Sequence, residues 1–235
     1  MKWLPPTAPE PARPRTGPQF ERNDDALRIL LYVFSAIVVV DILAIVSGAF
    51  ELHLASRMLD GLPVTKAESD HNDLRQAIVG GLETLMLVIG AFVWLSWFHG
   101  TYSNVTAVGA KRRFGPGWAI GAWFVPILSL WRPKQIANDM WAAGEEGAQP
   151  AQAPPVMLLW WLIWLLGNGV GGAYARLSSD TSATQLRNAA VADMVSATLN
   201  GIAAVLACVV AIQIGERLEA RASAQRGAQP HQQLP

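Results

Sequence analysis

From Ile29 to Phe50 the chain carries one charged side chain, Asp41, in a run dense in Ile, Val and Leu, and three comparable runs follow. Runs of this length constrain the fold sharply. A helix of about 20 apolar residues crosses roughly 30 Å of hydrocarbon and satisfies its own backbone while doing so. Charged residues make up only 15% of the chain and hydrophobic ones 51%, against about 25% charged in soluble domains. The expected class is an all-α integral membrane protein with four transmembrane helices, at about 26–50, 76–98, 156–175 and 188–214. The formal net charge is zero, so no basic field points to nucleic acid.

A fifth apolar stretch, Gly115 to Trp131, is shorter and differently built. It holds Trp118, Trp123 and Trp131 and is broken by Pro116 and Pro126, with Lys111-Arg112-Arg113 before it and Arg132-Pro133-Lys134 after it. It is too short for a full crossing, and Pro126 would kink any helix running through it. It is expected to be a re-entrant or interfacial helical arm over 115–131. Pro133 suits the start of a helix, and Ile136, Met140 and Ala143 share one face, so an interfacial helix is expected at 133–144.

The flanks read as tails. Residues 1–25 are rich in proline and are expected to be disordered, as is the polar segment 217–235. Glu51 to Arg75 reads as a polar loop with a turn at Gly61-Leu62-Pro63. Tyr102, Val105 and Val108 recur at three-residue spacing, so the second helix is expected to continue towards the basic cluster. Gly167 and Gly171 have the spacing that allows close helix approach. Cys208, the single cysteine, lies in an apolar run and reads as a small core residue.

Positive charge orients the spans. With the arm returning to its own side, thirteen Lys and Arg fall inside and five outside; with the arm crossing, the split is ten to eight. The positive-inside rule selects the first arrangement, a multi-pass protein of a bacterial cytoplasmic membrane with both termini cytoplasmic. Lys111, Arg112 and Arg113 then touch lipid head groups. The same arrangement carries Asp41, Glu83, Asn168 and Asp193 to one layer, about 8–12 Å below the outer face at 1.5 Å rise per residue. Ionised groups at such depth are costly and should face the bundle interior.

The run Trp97 to Asn104, then Pro116-Gly117-Trp118-Ala119, Trp123-Phe124-Val125-Pro126, and Arg132-Pro133 through Trp141 resembles the signature of the family called domain of unknown function 4328. The resemblance covers roughly Leu30 to Arg217 and implies a bacterial multi-span membrane protein. It marks Trp97, Asn104, Pro116, Gly117, Trp118, Trp123, Pro126, Arg132, Pro133 and Trp141 as motif residues, with structural roles. It brings no activity with it.

Two functions fit these residues. One is a non-enzymatic membrane module that binds lipid or a protein partner through its Trp-rich inner arm. The other is a small proton- or cation-coupled transporter or channel using Asp41, Glu83 and Asp193. Neither His-Glu-x-x-His, Gly-x-Ser-x-Gly nor a phosphate loop occurs, so no catalytic residues and no enzyme are expected. His53 with scattered acids is a weak ligand set, so no metal or cofactor is expected either. The expected partners are the lipid bilayer and either another protein or a second copy of the chain.

Overall fold

The computed structural model describes residues 19–145, 152–177 and 182–228, with 170–177 by backbone only. The regular elements are all helical: α1 (Asp24–Leu59), α2 (Lys66–Ala107), α3 (Trp118–Gly121), α4 (Arg132–Ala143), α5 (Pro155–Leu177) and α6 (Ala183–Gly227). A 3-10 turn at Leu128–Leu130 precedes α4. Helices α1, α2 and α6 are long and apolar enough to cross a membrane. Helix α5 covers the predicted span 156–175, but its described apolar part, Pro155–Gly169, is shorter than a crossing.

The segment 51–75, expected to be a loop, is instead helical on both sides of a short turn at 60–65. Local chemistry explains the difference. Thr65 and Glu68 form a reciprocal capping box that starts α2, with Glu68 N–H donating to Thr65 Oγ1 at 3.2 Å and Thr65 N–H to Glu68 Oε2 at 2.8 Å. Arg57, in the last turn of α1, pairs with Glu68 at 2.7 Å and donates to the Pro63 carbonyl at 2.7 Å, which clasps the turn. Gly61 takes a φ of 70° inside it, a conformation open to glycine at little cost. Polar composition marked the end of the apolar run, not the end of the helix.

The C-terminal tail expected to be disordered from 217 also differs, since α6 continues to Gly227 with Leu218 and Ala222 buried. At the other end, residues 1–18 and 229–235 lie outside the described residues. Asp24 and Asp25, placed in the tail by the sequence, form the first turn of α1, where their charge suits the helix dipole.

Helix α6 is antiparallel to α1 in unbroken register. A Cβ on Gly48 would come within 2.6 Å of Met194, one on Gly201 within 3.4 Å of Asp41, and one on Gly215 within 3.7 Å of Leu27. Each pair of residue numbers adds to the same total. Buried Ala190, Ala197, Ala204 and Ala211 recur once per heptad along α6 and allow this approach. Helix α5 meets the other side of α6, where Gly167 sits against Leu199 and Asn200; Gly171 falls among residues described by backbone only. Helix α2 packs along α1, with Gly90 against Phe34 and Ile37. The sequence of neighbours is therefore α2, α1, α6, α5, running alternately up and down.

The stretch 115–131, expected to be a helical arm, is helical only in two short pieces. Apart from α3 and the 3-10 turn it consists of turns. Pro116 and Pro126 remove donors, and Gly115, Gly117 and Gly121 lower helix preference around them. Helix α4, by contrast, matches the expected 133–144 within a residue at each end, and Ile136, Met140 and Ala143 are buried on one face as expected. The arm and α4 lie between the C-terminal end of α2 and the N-terminal end of α5. We call this the arm end of the bundle, and the end with the 60–65 turn the far end.

Candidate functional site

Ring packing fixes the arm end. Trp94 contacts Phe34, Trp97, Phe98 and Trp160, the last at 5.3 Å between centroids, which is where α2 and α5 meet. Trp123 enters from the arm, 6.1 Å from Trp94, 5.7 Å from Phe98, 5.9 Å from Trp161 and 5.3 Å from Trp164. All four contacts are edge-on, the orientation favoured by aromatic quadrupoles. Trp118 and Trp131, from the same stretch, are instead 38% and 43% exposed. Around them Ile120, Phe124, Val125, Ile127 and Leu130 also lie exposed, Phe124 at 70%.

Side chains satisfy the irregular backbone beneath this exposed surface. Trp123 donates through Nε1 to the Ala119 carbonyl at 3.1 Å, Ser129 through Oγ to Pro126 at 2.7 Å, and Trp161 through Nε1 to Leu130 at 3.1 Å. The end of α4 is capped from α6: Arg217 donates to the Trp141 carbonyl at 3.2 Å and stacks on the Trp141 ring at 4.3 Å, while Arg221 donates to Ala143 at 2.6 Å and to Glu145. Gln225 reaches the Val108 carbonyl at 2.9 Å, just past the end of α2. Cations at helix C-termini suit the dipole as well as the free carbonyls.

Motif residues Trp97 and Asn104 hold the segment before α1. Asn104 accepts from Glu21 N–H at 3.2 Å and donates to the Glu21 carbonyl at 2.7 Å. The Trp97 ring is buried, and its carbonyl accepts from Asn23 at 3.3 Å. Tyr102 accepts from Phe114 N–H at 3.1 Å and reaches Asp139 at 3.5 Å. Burial pushes the Asp139 carboxyl above its ordinary range, while Arg113 at 3.4 Å and Tyr102 pull the other way. Burial likewise pulls the Lys134 ammonium below its ordinary range; its one described bond is to Asn138.

Arg132 opens α4 with its guanidinium 4.4 Å from the Phe114 centroid and 4.8 Å from that of Trp118. Pro133 follows, buried, in the first turn. Pro116 and Gly117 supply carbonyls at 3.0 and 3.2 Å to the N–H groups of Ala119 and Ile120 and so begin α3. Lys111 is exposed, and Arg112 lies 5.9 Å from the Tyr102 centroid.

The four residues of the expected polar layer differ in burial. Asp41 is buried at 7% exposure, Glu83 is half-buried, and Asp193 is exposed. The register that sets Asp41 against Gly201 and Gly48 against Met194 places Asp193 near the level of Gly48, seven residues along α1 from Asp41. Asn168 is exposed and donates to the Trp164 carbonyl of its own helix at 2.8 Å. The groove beside Asp41 is lined by Val38, Ile42, Ile45, Ala197, Thr198 and Gly201 among others, with neither Glu83 nor Asp193 on its wall. Asp41 Oδ2 is buried and has no hydrogen-bond partner.

A second polar cluster escaped the sequence reading. Ser47 donates to Gln76 at 2.6 Å, and Gln76 donates to Glu51. Arg75 donates to Ser47 Oγ at 3.1 Å, to the Ser47 carbonyl at 3.2 Å and to Asn72 at 2.6 Å. Glu51, Asn72 and Ser47 are all buried. The signal that could have found them is helical spacing: Asn72, Arg75 and Gln76 lie on one face at i, i+3 and i+4, facing Ser47 and Glu51 at i and i+4. Reading the segment as a loop hid that spacing.

The family model described as domain of unknown function (DUF4328) matches residues 60–216. The match runs from the turn before α2 to about three quarters of the way along α6, so α1 precedes it. No curated protein and no solved structure matches.

Proposed function

Because this chain belongs to the family described as domain of unknown function 4328, whose matched stretch holds the whole arm, we propose that the arm carries the function. On this reading the protein is a non-enzymatic module of four spans, α1, α2, α5 and α6, in a bacterial cytoplasmic membrane. The arm end and both termini face the cytoplasm. The arm rests in the inner leaflet and binds lipid there.

One observation carries this reading: a segment of broken helical turns presents Ile120, Phe124, Ile127 and Leu130 outward while carbonyls at Ala119, Pro126 and Leu130 accept from Trp123, Ser129 and Trp161. Irregular backbone at membrane depth is tolerated only when its polar groups are satisfied within the protein. An exposed apolar patch of this kind in turn marks a membrane or partner surface. The cations on either side of the arm supply the positive-inside bias.

The test is a spin label at Phe124→Cys in a Cys208→Ala background, reconstituted in liposomes. Relaxation should respond to oxygen, which partitions into lipid, and resist a water-soluble nickel chelate. Strong relaxation by the chelate would place the arm in water and end the proposal.

A second reading, a proton- or cation-coupled transporter or channel using Asp41, Glu83 and Asp193, is favoured by the buried Asp41 Oδ2, which has no hydrogen-bond partner. Against it stand the exposure of Asp193 and the apolar groove beside Asp41. Asp41 also lies outside the matched family stretch, whereas every arm residue lies inside it. Proton or cation flux into liposomes that Glu83→Gln abolishes without disassembling the protein would establish this second reading.

A further inference from the structure

Six arginines among the described residues are half-buried, and four of them are committed to the protein. Arg57 and Arg217 bond both a carboxylate and a carbonyl, Arg75 bonds Ser47 and Asn72, and Arg221 bonds two carbonyls. Only Arg112 and Arg132 make no hydrogen bond or ion pair, and both flank the arm. Arg132 is the more tightly held. Its guanidinium stacks against two rings, Phe114 and Trp118, and its Nε is buried without an acceptor. Arg113 approaches the same Phe114 ring at 5.9 Å, so a second positive charge stands close by. The carboxylate that Arg113 meets at 3.4 Å, Asp139, is also engaged by Tyr102.

We propose that Arg132, clamped between Phe114 and Trp118 at the start of α4, is the centre of a binding site for the phosphate of an anionic phospholipid headgroup. This rests on the inner-leaflet placement of the arm. Stacking holds the planar guanidinium in one orientation, which lowers the entropy lost when its fork meets phosphate oxygens. The positive end of the α4 dipole adds to the attraction. Lys111 and Arg112 have no carboxylate partner among the described residues and enrich the anion near the site. The apolar neighbours decide the source of the phosphate. Ile120, Phe124 and Ile127, in the same arm as Trp118, are exposed, a surface suited to acyl chains and not to a free ion.

The experiment uses the full chain in mild detergent, with native mass spectrometry to count retained phosphatidylglycerol against phosphatidylcholine at matched concentrations. Arg132→Gln removes the charge, Arg132→Lys keeps the charge but loses the fork, and Lys111→Gln removes an exposed charge outside the clamp. Both Arg132 variants should lose selectivity for phosphatidylglycerol by about tenfold or more, as expected for losing charge-assisted hydrogen bonds. Lys111→Gln should change it by less than about threefold. Trp118→Ala, at a partly exposed ring, should weaken selectivity with the charge in place, and it serves as the test if the Arg132 variants do not fold. Retention by Arg132→Lys equal to the parent, or equal losses in Lys111→Gln and Arg132→Gln, would overturn the site in favour of unspecific attraction. Displacement of the lipid by millimolar inorganic phosphate would overturn the lipid assignment. Loss of selectivity that leaves oxygen accessibility at Phe124 unchanged separates this site from the placement of the arm.

Discussion

The two halves of this bundle handle polar groups in opposite ways. At the arm end the chain leaves helical geometry, so carbonyls become free, and side chains are spent on satisfying them. Trp161, Ser129, Arg217, Arg221 and Gln225 each donate to a carbonyl there. Towards the far end α1 and α2 are unbroken, so the backbone satisfies itself and polar side chains must find one another. Ser47, Glu51, Asn72, Arg75 and Gln76 succeed, because α1 and α2 face each other closely there. Asp41 does not, because its neighbour across α6 is Gly201, which offers space and no donor. Where the backbone is irregular, side chains become structural donors; where it is regular, they are left to networks or to isolation.

The largest effect should come from the arm end. Trp123→Ala removes the ring that joins α2, the arm and α5, and should cost about 3–5 kcal/mol. Trp118→Ala removes an exposed ring stacked on Arg132 and should cost about 0.5–1 kcal/mol. Thermal unfolding in detergent compares the two directly. Equal costs would mean that the arm is held as a unit and not through Trp123.

Next comes the network of α1 and α2. Gln76→Leu leaves Ser47 without its acceptor and takes from buried Glu51 the Gln76 donor, so it should cost about 2–3 kcal/mol in the same assay. A neutral result would break the claim that these side chains depend on each other. The smallest effect is expected at Asp41. Asp41→Asn removes no hydrogen bond and should shift stability by less than about 1 kcal/mol. A loss as large as that of Gln76→Leu would show that Asp41 has a partner in the membrane that the bundle does not supply.

Much of this fold could be read from the sequence, and the exceptions have physical causes. Apolar run length located the cores of α1, α2, α5 and α6, and Pro133 with Ile136, Met140 and Ala143 located α4. Helix ends beyond the apolar runs were missed because hydropathy reports the solvent around a helix and not its continuation. The capping box at Thr65 and Glu68 was the available signal. Arm geometry was harder. Trp118, Trp123 and Trp131 are alike in sequence, and only three-dimensional packing makes Trp123 a hub and leaves the others at the surface. At the candidate sites, Asn104 and Arg132 were marked by motif resemblance alone. Their partners, the Glu21 backbone and the Phe114 ring, are distant or irregular in sequence and carry no periodic signal. Asn168 was misplaced because helix counting gives depth and not azimuth.

The central claim is that the chain between α2 and α5 returns to the side it left. Single cysteines in a Cys208→Ala background at Ser69, Ser182, Gly115, Glu145 and Ser223 test it most directly, using a membrane-impermeant maleimide on intact cells. The account predicts labelling at Ser69 and Ser182, at the far end, and protection at Gly115, Glu145 and Ser223 until the membrane is permeabilised. External labelling at Glu145 with protection at Gly115 would mean that the arm crosses the membrane, and would contradict the account.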